Sequence, residues 1–264
     1  MRKSHKFLSL AALLTGSAFL FFYEKQSKDA DDEVISLPAI TEDKPDIASI
    51  TDVNVKKETF FNYLRPGIAI ENARIEKERR RLLAIKNALD EQALTSEQEA
   101  TAKRLGKLYN LEPTNVDYEW LDAMLARVDV LPEALVLTQA ANESAWGTSR
   151  FAKEANNYFG QWCYTKGCGL VPLQRTEGMT HEVAKFSSPQ GSIHGYFMNV
   201  NRNRAYEELR DIRASIREQG ADPTSEQAAL ELTNGLLRYS ERGEAYVKDL
   251  QAMIRHNEPF WTTQ

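Results

Sequence analysis

The stretch Pro132–Ala145, PEALVLTQAANESA, constrains the fold more than any other part of the chain. Pro132 suits the first turn of a helix, and the residues after it place apolar side chains on nearly every side. A helix that is apolar all round belongs in a protein interior. Yet Glu143 sits near its C-terminal end. A carboxylate is almost never fully buried unpaired, and a helix C-terminus disfavours negative charge. Both effects raise its pKa, as a general acid working near neutral pH requires. The plainer reading is a carboxylate that caps or salt-bridges the helix end.

The sequence around this helix has one texture from about residue 112 to residue 264. That part holds all four tryptophans, both cysteines and seven of the ten tyrosines. Glu112-Pro113-Thr114 punctuates its start. Helices are expected over 117–127, over 132–145 with Gly147 as the stop, and over 149–155. The stretch 157–187 is rich in glycine, aromatics and turn residues, with short strands such as 182–186. Ser188-Pro189 reads as an N-cap with proline at the first helical position, opening a helix towards Arg204. Thr224-x-x-Gln227 reads as a capping box for a helix over 225–238, and 243–256 closes the chain as a last helix. The expected fold class is α+β, mainly α, with one small β-rich insert.

The first part of the chain is organised differently. Residues 2–6 are cationic, and seventeen mostly apolar residues follow, Phe7 to Tyr23. This is the layout of a signal anchor or a secretory signal peptide, over residues 1–23. The favoured reading is an uncleaved anchor with a cytoplasmic N-terminus; a cleaved signal is the alternative. Either places the rest outside the cytoplasm. Residues 24–55 are acidic, contain Pro38 and Pro45, and read as a flexible linker. Residues 56–111 read as a helical arm. Phe60, Phe61 and Leu64 begin it, Pro66-Gly67 is expected to break it, 72–89 forms an amphipathic helix, and a Thr95–Gln98 capping box opens another. The Arg79–Arg81 run reads as a solvated helix face.

Composition excludes several classes. Lys+Arg is 33 against Asp+Glu 38, a net charge of −5, which with no basic block argues against a nucleic-acid partner. Mean hydropathy is −0.50, which excludes a multi-span membrane protein. Two cysteines exclude a disulfide-scaffold miniprotein and a Cys₄ zinc site. Cys163 and Cys168, with four residues between them in a turn-rich stretch of an exported chain, read as a disulfide closing a short loop. His181 and His194 have no metal-ligand spacing with them, so no metal is expected, and no cofactor.

The run 137–149, LTQAANESAWGTS, resembles the active-site helix of the bacterial N-acetylglucosaminidase domain, glycoside hydrolase family 73. Gln139 and Glu143 have that family's spacing, followed by Ser144, Trp146, Gly147 and Ser149. Asn156-Asn157-Tyr158-Phe159-Gly160 is similar to the next motif. Phe186, Ser192 and Tyr196 resemble the third, although Ser187–Pro189 follows Phe186 where the family has Arg-x-Tyr, and Gly195 replaces an Asp. Arg238-Tyr239-Ser240 and Ala245-Tyr246-Val247 resemble the closing tyrosine-rich segment. The match covers about residues 120–255, in order. It implies a lysozyme-like helical domain over 112–264 and hydrolysis of β-1,4 bonds beside N-acetylglucosamine, in peptidoglycan or related glycans.

By that resemblance Glu143 is the catalytic acid. The second carboxylate is Glu177, with Glu182 as the alternative. Acetamide assistance by the sugar itself is a third route, with Tyr239 as the orienting residue and Tyr246 second; core packing is the preferred reading of Tyr246. Gln139, Trp146, Asn157, Phe159 and Trp162 are the expected substrate-binding residues. Trp146 and Trp162 suit sugar stacking, though core packing fits Trp146 at least as well. The partners implied are a glycan, and the inner membrane through residues 7–23 with the domain on the periplasmic face. Two other functions compete: a non-catalytic glycan-binding or scaffold protein, and a lytic transglycosylase.

Overall fold

A computed structural model of the chain describes residue 40, residues 43–173 and residues 180–261. The apolar run 7–23 and the residues of the acidic linker up to 39 lie outside these, and so does Glu177. Among the described residues, no helix is long and apolar enough to cross a membrane.

Nine α-helices are described: α1 (Val53–Asp90), α2 (Ser96–Leu108), α3 (Tyr118–Arg127), α4 (Glu133–Ser144), α5 (Arg150–Ala155), α6 (Pro189–Arg202), α7 (Glu207–Glu218), α8 (Glu226–Leu232) and α9 (Glu244–His256). A small antiparallel sheet lies between α5 and α6 in the chain. Its strands are β1 (Trp162–Cys163), β2 (Gly169–Leu170) and β3 (Glu182–Ala184), in the order β1-β3-β2. Trp162 pairs with Val183, and Cys163 with Glu182. Mainly helical with a small β insert, this is the expected fold class. The central helix is α4, buried from Ala134 to Ala141 and packed against α1, α8 and α9.

Helix α1 departs from expectation, because it runs unbroken through Pro66-Gly67. An interior proline costs about 3 kcal/mol or more. Phe60, Phe61 and Leu64 before it, and Ile68, Ile75, Leu82 and Ile85 after it, are all buried. Each such side chain contributes about 1.5–3 kcal/mol on full burial, so packing outweighs the proline. Gly67 permits a close approach to α6: a Cβ there would sit 2.7 Å from both Gln190 Oε1 and Ile193 Cδ1. The arm and the later helices share one hydrophobic core.

The expected linker docks before residue 56. Lys44 Nζ donates to the carbonyls of Ala152 (3.2 Å) and Lys153 (2.8 Å), and Ile47 is buried. Arg79 is likewise no solvated residue: its guanidinium donates to the carbonyls of Leu125 and Val128 and lies 3.4 Å from Asp129. An apolar pattern broken by charges conceals such contacts, because an arginine stem buries easily when its head finds acceptors.

Helix α7 has no counterpart in the sequence reading. Its Arg213 is fully buried and donates to the carbonyls of Ala126, Asp129 and Val130, satisfying acceptors at the end of α3. Burial opposes ionisation of Asp129, yet the hydrogen bond from Arg217 and the charges of Arg213 and Arg79 hold its carboxyl below the usual range. Helix α8 is capped by Ser225 and not by Thr224, whose hydroxyl bonds Asp222 instead. It ends at Leu232 rather than 238 and passes into a 3₁₀ turn over Thr233–Leu236. There Gly235 lies on the backbone of Leu209, where a Cβ would meet its N and Cα at 2.4 Å. That contact fixes where the chain emerges at Arg238 and Tyr239.

Candidate active site

The end of α4 builds the site. Ser144 Oγ donates to Ala140 O and accepts from Gly147 N, and Ala145, Trp146 and Gly147 all take left-handed backbone (φ 50°, 57° and 73°). This turn carries the Trp146 ring onto Phe60 and Phe61, at centroid distances of 5.7 and 5.4 Å. Trp146, partly buried, therefore packs against the core and does not line the cleft beside Glu143. Its apolar partners on α1 are far away in the sequence.

Glu143, one residue before the buried Ser144, is partly exposed. Its Oε1 accepts from the Tyr246 hydroxyl at 3.0 Å and from Asn142 Nδ2 at 3.1 Å. Its Oε2 has no hydrogen-bond partner among the described residues. Oε2 faces Gly160, where a Cβ would lie 3.4 Å away, and the positive φ of Gly160 (63°) favours glycine there. Burial pushes the Glu143 carboxyl above the usual range, and the bonds from Tyr246 and Asn142 only partly oppose this.

Tyr246 is held from behind. Gln139, fully buried, donates from Nε2 to the Tyr246 hydroxyl at 3.2 Å, while its Oε1 accepts from the Tyr196 hydroxyl. The result is a relay, Tyr196 to Gln139 to Tyr246 to Glu143. Burial, then the nearby Glu143 charge, raises the Tyr246 pKa, so its hydroxyl stays protonated. Tyr246 stacks on Tyr239 at 5.4 Å, and the Tyr239 hydroxyl donates to Phe159 O at 2.9 Å. Tyr246, read from sequence as a packing residue, is thus the tyrosine that touches Glu143. Tyr239 does not bond it. Both occupy apolar-spaced sequence, and only the direction of each hydroxyl separates them.

Beside Glu143 opens a cleft of about 310 Å³. Phe159, Gly160 and Trp162 line it on the insert side, and Tyr206, Arg238 and Tyr239 on the α7–α9 side. Phe159 is buried and stacks on Tyr196 at 4.2 Å. Trp162 is 53% exposed, and its ring stacks on His181 at 3.9 Å. Gln161, Asn199 and Arg238 also reach the cleft, and the sequence reading gave none of them a role. Arg238 was visible only as the neighbour of Tyr239.

Gln139 and Asn157 act behind the cleft. Asn157 Nδ2 donates to the carbonyls of Gln161 and Ala184, and its Oδ1 accepts from the amides of Phe159 and Gln161. It ties the Phe159–Gln161 turn to β3. Glu182 is also withdrawn: its two oxygens accept from the amides of Gly167 (3.0 Å) and Gly169 (2.8 Å), which braces the hairpin. Among the described residues lining the cleft, Glu143 is the one carboxylate.

Cys163 and Cys168 form a disulfide with Cα atoms 6.2 Å apart. Glu182 approaches both sulfurs within 4.8 Å, but the sulfurs are bonded to each other and cannot serve as the thiolates a metal would need.

The site is thus a desolvated carboxyl at the end of the central helix, opening on an aromatic cleft, in a mainly helical domain. Residues 119–259 match the family Glucosaminidase, described as mannosyl-glycoprotein endo-beta-N-acetylglucosaminidase, and the chain belongs to that family. It is similar to Protein bax of Escherichia coli (strain K12), with 30% identity over 216 residues, covering 81% of this chain and 74% of that protein. No solved structure matches the chain.

Proposed function

We propose that the protein is an endo-β-N-acetylglucosaminidase that hydrolyses β-1,4 bonds in peptidoglycan, with Glu143 as general acid. The observation that carries this reading is the asymmetry of the Glu143 carboxyl. Oε1 is held by Tyr246 and Asn142, while Oε2 is free beside Gly160 at the cleft. Oε2 carries the proton to the glycosidic oxygen as the C1–O bond breaks. The two hydrogen bonds on Oε1 strengthen as the carboxylate forms, so they assist the transfer. Trp162 offers a face for a sugar ring.

Water attacks C1, and its proton passes to a second carboxylate. Glu177 is the residue proposed for it, since Glu182 is committed to two amides. The same commitment favours a second route if Glu177 proves dispensable: attack by the sugar's own acetamide. Residues 7–23 would anchor the chain with the domain on the periplasmic face of the inner membrane. The Cys163–Cys168 disulfide suits that oxidising compartment.

Mass spectrometry of muropeptides after digestion tests the activity. New reducing N-acetylglucosamine ends are expected. Anhydromuramyl ends would instead make the protein a lytic transglycosylase, and no products would make it a binding or scaffold protein.

A further inference from the structure

Arg238 lines the cleft, is exposed, and has no hydrogen bond or ion pair among the described residues. Arg202, Arg204 and Arg255 also lack a side-chain hydrogen bond among the described residues, but they do not line the cleft, and other arginines of this half are engaged. Arg210 donates to the carbonyls of Val200 and Asn203, Arg213 is buried on carbonyls, and Arg242 binds Asp249. The backbone that presents Arg238 is fixed on both sides. Gly235 is pressed on Leu209, Tyr239 N donates to Leu236 O, and the Tyr239 hydroxyl holds Phe159 O. So the chain spends packing and hydrogen bonds to hold this segment at the cleft, and leaves its guanidinium unpaired.

Among the described residues lining the cleft, Arg238 is the one cation. Its counterpart, Glu143, has a carboxyl that burial shifts toward the neutral form. The other walls are aromatic or amide groups: Trp162, Phe159, Tyr206, Gln161 and Asn199. A neutral sugar needs nothing more than these. A guanidinium on a backbone held at the cleft, with no hydrogen bond or ion pair among the described residues, adds bidentate recognition of a carboxylate.

We infer that Arg238 is a specificity-determining residue that binds a carboxylate on the glycan, so that the cleft prefers an acidic β-1,4 glycan to a neutral one. The inference rests on the proposed glycosidase reading and deepens it. In a muramyl-containing strand the carboxylate has two sources: the lactyl ether of a peptide-free sugar, or the acids of an attached peptide. Both present the same group to Arg238.

The test compares three substrates with the full chain and with Arg238→Gln. They are peptide-free muramyl strands, peptide-bearing strands and a neutral N-acetylglucosamine oligomer. The ratio of kcat/KM for acidic over neutral substrate is expected to fall roughly tenfold or more in Arg238→Gln, carried mainly by KM, since a charge-assisted hydrogen bond has that magnitude. Arg238→Lys, which keeps a point charge without the fork, is expected to fall between. Loss confined to one acidic strand assigns the source of the carboxylate. An unchanged ratio, or equal loss on all three substrates, overturns the inference.

If the wild type cleaves none of them, the glycosidase reading fails separately. The same three glycans are then compared by calorimetric binding, and wild-type preference for the acidic strands must disappear in Arg238→Gln. Should Arg238→Gln fail to fold, wild-type salt dependence decides. Added salt weakens acidic-strand binding and spares the neutral oligomer if the inference holds, and equal salt dependence overturns it.

Discussion

The Tyr246 hydroxyl donates to Glu143 Oε1 across 3.0 Å, and so fixes which oxygen of the carboxyl is left for chemistry. The bond joins α9 to the end of α4, residues 103 apart in the chain. Gln139 sets the direction of that hydroxyl, because its Nε2 occupies the acceptor side.

Tyr246→Phe removes a bond that favours the ionised carboxylate, so the Glu143 pKa rises further. The alkaline limb of the pH–rate profile is expected to move to higher pH, with a loss of roughly tenfold in kcat. Tyr239→Phe, whose hydroxyl bonds the Phe159 carbonyl instead, is expected to leave the limb in place. An unmoved limb in Tyr246→Phe would exclude the tyrosine from tuning the acid.

Glu143→Gln is expected to lower turnover by about 10²–10⁴-fold. Its stability effect has a definite sign. The folded state raises the carboxyl pKa, so it binds the proton more tightly than the unfolded chain. Stability therefore falls as pH rises from the ordinary carboxylate value to the raised one, and the penalty persists above that. Removing the group lifts it, so Tm at neutral pH should be equal or higher in the variant. The difference should vanish at pH below the ordinary carboxylate range. Thermal melts across pH check this, and a Tm deficit at neutral pH would contradict it.

Glu177→Gln and Glu182→Gln should separate cleanly. Glu177→Gln is expected to lose most activity with the fold intact. Glu182→Gln places an amide donor opposite the amide of Gly167 or Gly169, leaving a donor unsatisfied at about 1–3 kcal/mol. Its loss should appear as easier proteolysis of the insert, measured by digestion time courses. Full activity of both variants would favour acetamide assistance.

Gly235→Ala should destabilise more than Gly67→Ala. At Gly235 the new methyl meets the Leu209 backbone at 2.4 Å, which cannot swing aside. At Gly67 it meets the ends of the Ile40, Gln190 and Ile193 side chains, which can. Overpacking typically costs about 1–3 kcal/mol, and Gly235→Ala is expected at the upper end or beyond. Urea denaturation measures both, and the opposite ranking would show that the 3₁₀ turn yields more readily than α1.

Much of this protein is written locally. The all-round apolar pattern of residues 132–145 required a central buried helix, and α4 is one, because apolar area alone dictates burial. The Ser188-Pro189 start and the Thr95–Gln98 capping box are contacts within one turn, so their residues suffice to predict them. Glu143 stood out because a carboxylate in such a helix conflicts with its surroundings. The spacing of Cys163 and Cys168 anticipated their bond. What the sequence could not contain was anything set by approach in space. Pro66 was overruled by core contacts spread along α1, Trp146 was drawn to rings some 85 positions earlier, and Glu182 was claimed by amides of its own hairpin. The choice of Tyr246 over Tyr239 was likewise tertiary. A hydroxyl's partner depends on which acceptor the packing brings to within about 3 Å of it, and that geometry is fixed only when the whole core packs.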